Sequence, residues 1–301
     1  MERYLGIDVG GNHVKTGIVD NTGEIQDFKS FETAELRKNG QFVENLLDRI
    51  VYRLINHKDI QKIGIGLPGT ITKDRSTPIE ITAIPEINGT KLQSAFQKRF
   101  PGMDIFLEND ANAAALGELH FAKKGIPNTY GFITLGTGIG SAAVIDRRIF
   151  TGGDGNGLEL GHIPSRNNKT LEQNIGKQGI IDLIGERLAT YSGPTKVSRT
   201  EPISATRTVV AATEGDEFAR SVFYEVGEIL GEGLVSFIRI MDIKTIIIGG
   251  GLSAAYQFIE PGIKKQLEHY LTPYYLKDLK LYLASLGNDA GLLGAASLCF
   301  D

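Results

Sequence analysis

Two short glycine turns stand out as places where backbone could bind a ligand. Asp8-Val9-Gly10-Gly11-Asn12 closes one apolar run, and Leu135-Gly136-Thr137-Gly138-Ile139-Gly140 closes another. Glycine removes the Cβ and lets consecutive N–H groups approach an anion. Either turn alone reads more simply as an ordinary hairpin with positive φ. Two matched turns, one beside a carboxylate, favour anion binding. A Rossmann fingerprint fits Gly136-x-Gly138 poorly, because Ser141 to Ile145 continues as a strand where a helix should open, and the Walker Gly-Lys-Ser/Thr pattern is absent. Elsewhere, Glu159 and His162 lie in a glycine-broken segment, Gly152 to Gly161, poorly suited to a core helix and better suited to loop display. A carboxylate only accepts and a neutral imidazole offers a directional donor, so the two suit vicinal hydroxyl groups. A structural role for His162 is the alternative.

The elements that must carry these residues are legible in the apolar pattern. Tyr4 to Val9 reads as a strand, Gly10 to Asn12 as a turn, and Val14 to Val19 as a second strand closed by Asn21-Thr22-Gly23. This is a hairpin, not a βαβ entry. The same grammar returns at Tyr130 to Leu135 and Ser141 to Ile145, which suggests a duplicated domain. Between the copies lie a helix over residues 42–55, a strand over 63–67, a helix over 92–100 stopped by Pro101-Gly102, and a strand from Asp104 that runs into Glu108-Asn109-Asp110. A helix from Ala111 to Lys123 follows, with the domain boundary placed near Asn112. The second half predicts helices over 179–190 and 217–240, a buried strand over 245–248, the turn Gly249-Gly250-Gly251, a helix over 254–270, a strand over 280–284 and a last helix from about Asp289. Alternation at this density implies α/β architecture in two lobes.

Composition narrows the partners. At 301 residues the chain holds about two domains of roughly 150. Its 37 glycines, against a usual ~7%, fit backbone-built loops better than any repeat. A formal charge of -4 supplies no cationic field for nucleic acid or anionic lipid, so a small ligand is favoured. The single cysteine, Cys299, excludes an intramolecular disulfide and a multi-thiolate metal centre. No run approaches the ~18 apolar residues of a membrane span, and the start, Met1-Glu2-Arg3-Tyr4, lacks a signal-peptide core. A cytoplasmic location is expected.

Six motifs in order, Asp8-Val9-Gly10-Gly11, Glu108-Asn109-Asp110-Ala111-Asn112, Leu135-Gly136-Thr137-Gly138, Glu159-Leu160-Gly161-His162, Ile248-Gly249-Gly250-Gly251 and Gly287-Asn288-Asp289-Ala290-Gly291, resemble the ROK family of sugar kinases and sugar-responsive repressors over essentially the whole chain. The resemblance implies the actin-like ATPase fold, with two ribonuclease-H-like lobes and a nucleotide in a central cleft. The expected small lobe is 1–112 with a C-terminal helix, 289–301, packed back on it; the large lobe is 113–288. The implied activity is ATP-dependent phosphorylation of a hexose at its C6 hydroxyl, as in a glucokinase. Asp8 resembles the residue that steadies Mg²⁺ through water. Gly10, Gly11, Asn12, Gly136, Thr137 and Gly138 resemble the phosphate loops, Asn12 standing where the family more often has Thr. Gly249, Gly250 and Gly251 look like the adenosine-side turn. Lys15 either neutralises phosphate charge or is a solvated strand residue. Glu159, His162 and Glu172 look like the sugar-contacting set, with Gly66, Pro68 and Gly69 in a further turn near the sugar.

Phosphoryl transfer to a hydroxyl needs a carboxylate within ~3 Å to accept its proton. Asp110 at a strand end is the candidate base, and Asn109 the residue that orients the sugar. The competing reading of Asp110 is an N-cap for the helix starting at Ala111, which contributes ~1 kcal/mol without chemistry. Alternative acceptors are another hexose or an N-acetylated amino sugar. Polyphosphate as donor would need a cationic track, whereas Lys and Arg are scattered. A sugar-sensing regulator would carry a helix-turn-helix module ahead of the first lobe, for which Tyr4 leaves no room. A homodimer is expected. Many family members follow Glu-x-Gly-His with a cysteine cluster that holds structural zinc; here residues 163–170 contain no cysteine. Four Cys or His ligands are normally needed, so no zinc is expected.

Overall fold

The computed structural model describes residues 2–123 and 125–300; Met1, Lys124 and Asp301, which fall within the expected lobes, lie outside the described residues. Two compact units form, one of residues 1–128, 142–158 and 285–301, the other of 129–141 and 159–284. The division expected near Asn112 falls inside a helix of the first unit.

The chain opens with β1 (Arg3–Val9), β2 (His13–Asp20) and β3 (Ile25–Glu32), then α1 (Thr33–Leu36) and α2 (Phe42–Leu54). There follow β4 (Lys62–Leu67), the small hairpin of β5 (Thr70–Ile71) and β6 (Pro78–Glu80), α3 (Leu92–Arg99), β7 (Asp104–Asn109) and α4 (Asp110–Phe121). The first sheet has the order β3-β2-β1-β4-β7. β1 and β2 pair antiparallel, whereas β1, β4 and β7 run parallel. Leu5, Ile7, Val9, Ile63, Ile65 and Leu67 are fully buried, as expected of parallel strands covered on both faces. Phe42, Leu46, Leu47, Ile50 and Leu54 of α2 join the same core. Their three- and four-residue spacing makes one helical face, and each such side chain contributes about 1.5–3 kcal/mol of burial.

The second sheet is built from β8 (Tyr130–Leu135), β9 (Ile139–Ile145), β10 (Arg148–Ile149), β11 (Thr245–Gly249) and β12 (Lys280–Leu283) in the order β10-β9-β8-β11-β12. Its own third, second, first, fourth and fifth strands thus repeat the order of the first sheet, the duplication that the paired glycine turns suggest. Helices α5 (Leu171–Ile175), α6 (Lys177–Thr190), α7 (Ala205–Thr213), α8 (Glu217–Met241), α9 (Tyr256–Tyr270) and α10 (Pro273–Leu276) belong to the second unit. The last helix, α11 (Ala290–Ser297), belongs to the first and packs on α4, β1 and β4. Glycine permits that approach: a Cβ on Gly117 would stand 2.6 Å from the Ala290 carbonyl, and one on Gly294 would overlap the Ala113 carbonyl. Among the described residues no helix is long and apolar enough to cross a membrane.

Candidate active site

In the first unit, register brings the candidate groups to one edge. Asp8 on β1 stands opposite Gly66 on β4, Gly66 opposite Glu108 on β7, and Leu67 opposite Asn109. Asp8, the Gly10–Asn12 turn and Asn109-Asp110 therefore emerge at the carboxyl ends of three adjacent parallel strands, the place where open α/β sheets bind ligands. The turn is held by backbone. The Gly10 N–H donates to the His13 carbonyl at 2.9 Å, the Thr33 hydroxyl to the Gly10 carbonyl at 2.7 Å and the Thr33 N–H to the Asn12 carbonyl at 2.9 Å. Gly10, Gly11 and Asn12 are not among the positive-φ residues, so the reading of this turn as a positive-φ hairpin is corrected. Glycine is needed here for space: a Cβ on Gly10 would stand 2.9 Å from the His13 carbonyl.

Burial pushes the Asp8 carboxyl above its ordinary pKa, and Lys15, with Nζ 3.5 Å away, pulls it back. Lys15 also donates to the Asn288 carbonyl at 2.8 Å, so it is part of this cluster and not a solvated strand residue. Asp8 further lies against the start of α11, where a Cβ on Gly291 would be 2.8 Å from its Cγ. A half-buried carboxylate with one partial counter-charge suits a cation. Among the described residues no three His, Cys, Asp or Glu side chains converge as a metal site, so Mg²⁺ here would take most of its ligands from phosphate and water.

The helix at the other candidate group starts one residue earlier than the sequence suggests, and its cap moves accordingly. Asn109 is the N-cap of α4, its Oδ1 accepting from Ala111 N–H at 2.9 Å and Asn112 N–H at 3.1 Å. Asn109 Nδ2 donates to the Gly69 carbonyl at 3.1 Å. The structural work assigned to Asp110 as an alternative therefore falls to its neighbour. Asp110 takes the first helical position, accepting from Ala111 N–H at 2.8 Å. Gly69 has φ 78°, and a Cβ there would overlap the Glu80 carbonyl. Beneath the strand end, buried Glu108 accepts from Asn109 N–H at 2.8 Å and Asn112 Nδ2 at 3.0 Å, with the Arg75 guanidinium 3.2 Å away. Sequence reading passed over Arg75, whose loop carries no apolar periodicity.

In the second unit, β8 and β11 are parallel neighbours, Thr134 standing opposite Gly249. Their glycine turns meet: Gly250, at φ 89°, lies so close that a Cβ would overlap the Leu135 carbonyl, whereas Gly136 and Gly251 face open space. Such a cradle of bare backbone fits a nucleotide. None of residues 136–140 is among the positive-φ set. Glu172, in the first turn of α5, turns its carboxylate onto this cradle, with Oε2 accepting from the Ile139 N–H at 2.8 Å. It occupies the space a side chain on Gly138 would need. Glu159 and His162 flank a single 3₁₀ turn, their carboxylate and Nε2 3.9 Å apart, and both are substantially exposed. The part of Glu159 that is covered raises its pKa by desolvation, the His162 charge lowers it and the Glu172 charge raises it again. His162 and Glu172 thus both act on the charge of Glu159.

The ROK family model matches residues 4–301. This chain belongs to the ROK family. It is 30% identical to the glucokinase of Thermotoga maritima over 98% of this chain and 96% of that protein. A structure from Cytophaga hutchinsonii, for which sugar kinase activity is proposed, shares 36% identity with a TM-score of 0.93 over 99% of this chain and all of that one. The ROK glucokinase of Streptomyces griseus, solved with glucose and AMPPNP, shares 26% identity and a TM-score of 0.80 over 98% of both chains. The two like-ordered sheets are accordingly those of the actin-like ATPase fold.

The cysteine-free segment after His162 is closed by protein contacts: Pro164 bridges to Thr170, and Ser165 N–H donates to the Lys169 carbonyl at 2.8 Å. Arg166 forks onto Glu232 of α8 through both Nε and Nη2. Asn174 Nδ2 donates to the Arg166 carbonyl at 2.9 Å, and Thr170 with Gln173 forms a capping box that starts α5. Arg166 and Glu232 escaped sequence reading because 66 residues separate them.

Proposed function

We propose that this ROK protein transfers the γ-phosphoryl group of ATP to the C6 hydroxyl of a hexose, with glucose the principal acceptor. The observation that carries the reading is the convergence of Asp8, the Gly10–Asn12 turn and Asp110 on the carboxyl edge of β1, β4 and β7, in a chain similar to glucokinases along its whole length. Asp110 accepts the hydroxyl proton as the new P–O bond develops, its position fixed by the Asn109 cap below it. Asn109 Nδ2 carries two hydrogens, of which Gly69 takes one, and the other serves the sugar. Glu159, His162 and Glu172 receive the remaining hydroxyls. Gly11, Asn12, Thr137 and Gly138 offer N–H groups to phosphate, in turns that the Gly10 and Gly136 N–H groups close on the His13 and Gly138 carbonyls at 2.9 Å each, and Gly249 to Gly251 receive the adenosine side. Mg²⁺, when bound, offsets phosphate charge, and Asp8 would hold it through water with Lys15 beside it.

The same reading makes the protein a cytoplasmic homodimer that works without zinc and without nucleic acid. Its test is a matrix of hexoses and N-acetylated amino sugars against ATP and polyphosphate, read by product formation on purified protein. Glucose with ATP giving the highest kcat/KM supports it. A mannosamine-type acceptor or polyphosphate taking that place would reassign the substrate, and sugar binding with no turnover would point to a sensor.

A further inference from the structure

We propose that Glu172 is a positioning residue that couples nucleotide binding to sugar binding: its carboxylate holds the Ile139 N–H of the glycine turn until the acceptor sugar draws it away and leaves that donor to the nucleotide phosphate. The inference rests on the kinase reading above and concerns groups that all lie in the second unit. The Ile139 N–H follows directly on Thr137 and Gly138 in the turn that the kinase reading gives to phosphate, and Glu172 Oε2 takes it at 2.8 Å. The carboxylate also fills the space beside Gly138 where a side chain would stand.

The backbone around this contact is pinned, so that only the side chain has to move. The Glu172 carbonyl accepts from Gly176 N–H at 2.6 Å, and Lys177 N–H reaches the Gly136 and Thr137 carbonyls at 3.2 Å each. The α5–α6 junction is therefore tied to the turn whatever the carboxylate does. An anionic phosphate and a carboxylate cannot share one N–H at close range without strong like-charge repulsion. Neutral sugar hydroxyls, by contrast, are donors that a carboxylate readily accepts. The Glu172 charge raises the Glu159 pKa, so the same carboxylate neighbours the sugar-facing pair. Binding of either ligand then favours the other by the same factor, as linkage requires.

Calorimetric titration of AMPPNP with Mg²⁺, with and without the accepted sugar, into wild type, Glu172→Gln and Glu172→Ala tests this. In the wild type, sugar should tighten AMPPNP about ten-fold, the scale of one charge-assisted hydrogen bond. In Glu172→Ala, AMPPNP without sugar should bind tighter than in the wild type, and sugar should add nothing; Glu172→Gln should fall between. A residue that merely shaped the turn would weaken AMPPNP binding when truncated, the opposite sign. An alanine variant with weaker AMPPNP binding, or with the sugar effect intact, overturns the coupling while wild-type turnover leaves the kinase reading standing. A wild type that binds no AMPPNP and phosphorylates no sugar overturns both.

Discussion

Asp110 and Asn109 are adjacent, similar in size and both at the start of α4, yet the structure gives them separable work. Asp110→Asn keeps an oxygen to accept the Ala111 N–H, now bonded at 2.8 Å, and loses a negative charge in the first helical turn, worth about 0.3–1 kcal/mol. As the base it should lower kcat by about 10²–10⁴, or about 2.7–5.4 kcal/mol of activation free energy. Asn109→Ala removes a cap that serves two N–H groups and the bond to the Gly69 carbonyl. The cap contributes about 1 kcal/mol and the additional bond about 1 kcal/mol, so a loss near 2 kcal/mol is expected, or about 4–8 °C in Tm. The assay pairs a coupled measurement of sugar phosphorylation with thermal unfolding by circular dichroism, since the chain has no tryptophan. The base assignment is refuted if Asp110→Asn turns over at near the wild-type rate. The division of labour is refuted if Asp110→Asn unfolds as early as Asn109→Ala.

Three further outcomes follow from the same geometry. Gly250→Ala should cost about 1–3 kcal/mol for a side chain at φ 89°, with the overlap against the Leu135 carbonyl added, and should raise the KM for ATP while leaving that for sugar unchanged. Asp8 has a folded pKa raised by burial, so its contribution to stability is most favourable below its unfolded pKa and is lost as pH rises through the folded value. Asp8→Asn should therefore be at least as stable as wild type in urea at pH 7.5, with that advantage shrinking towards pH 4, and should be inactive with MgATP; a variant much weaker at pH 7.5 would contradict this. Elemental analysis of protein purified without added metal should find no stoichiometric zinc, and Arg166→Ala, which opens the Glu232 fork, should raise the sugar KM several-fold; zinc at one per chain would defeat the first part, an unchanged KM the second.

What could be read from sequence divides along physical lines. β1 and β4 bury every apolar residue they have, and α2 buries Phe42, Leu46, Leu47, Ile50 and Leu54 along one face, so periodicity alone marks them. β3 lies at a sheet edge with most side chains exposed, and Ile25-Gln26-Asp27-Phe28-Lys29 offers no alternation to see. Yet this strand leads into Thr33, whose hydroxyl and N–H clamp the first glycine turn. Likewise α5 has five residues, too few for a period, although it carries Glu172. Glycine turns, by contrast, announce themselves by composition. Their conformation does not follow, since in Gly10 and Gly138 the missing Cβ makes room for a carbonyl and a carboxylate and not for a positive φ.

Asp110 and Asp8 are each backed by a buried carboxylate that takes no part in the chemistry. Glu108, with Arg75 beside it, fixes the start of α4 under Asp110. Two turns further along the same helix, Glu118 is fully buried and accepts from Ser285 N–H at 2.8 Å, Ser285 Oγ at 2.9 Å and Leu286 N–H at 2.8 Å. Those residues lead into α11, whose approach sets Asn288 on Lys15 and Gly291 on Asp8. A single helix therefore positions Asp110 at its N-terminus and, through Glu118, the segment that backs the Asp8 cluster. A buried carboxylate is costly unless its oxygens are satisfied, and leaving its partners unpaired is costlier still. Any change at Glu118 should consequently disturb Asp110 and Asp8 together, although Glu118 itself lies well below the carboxyl edge where both emerge.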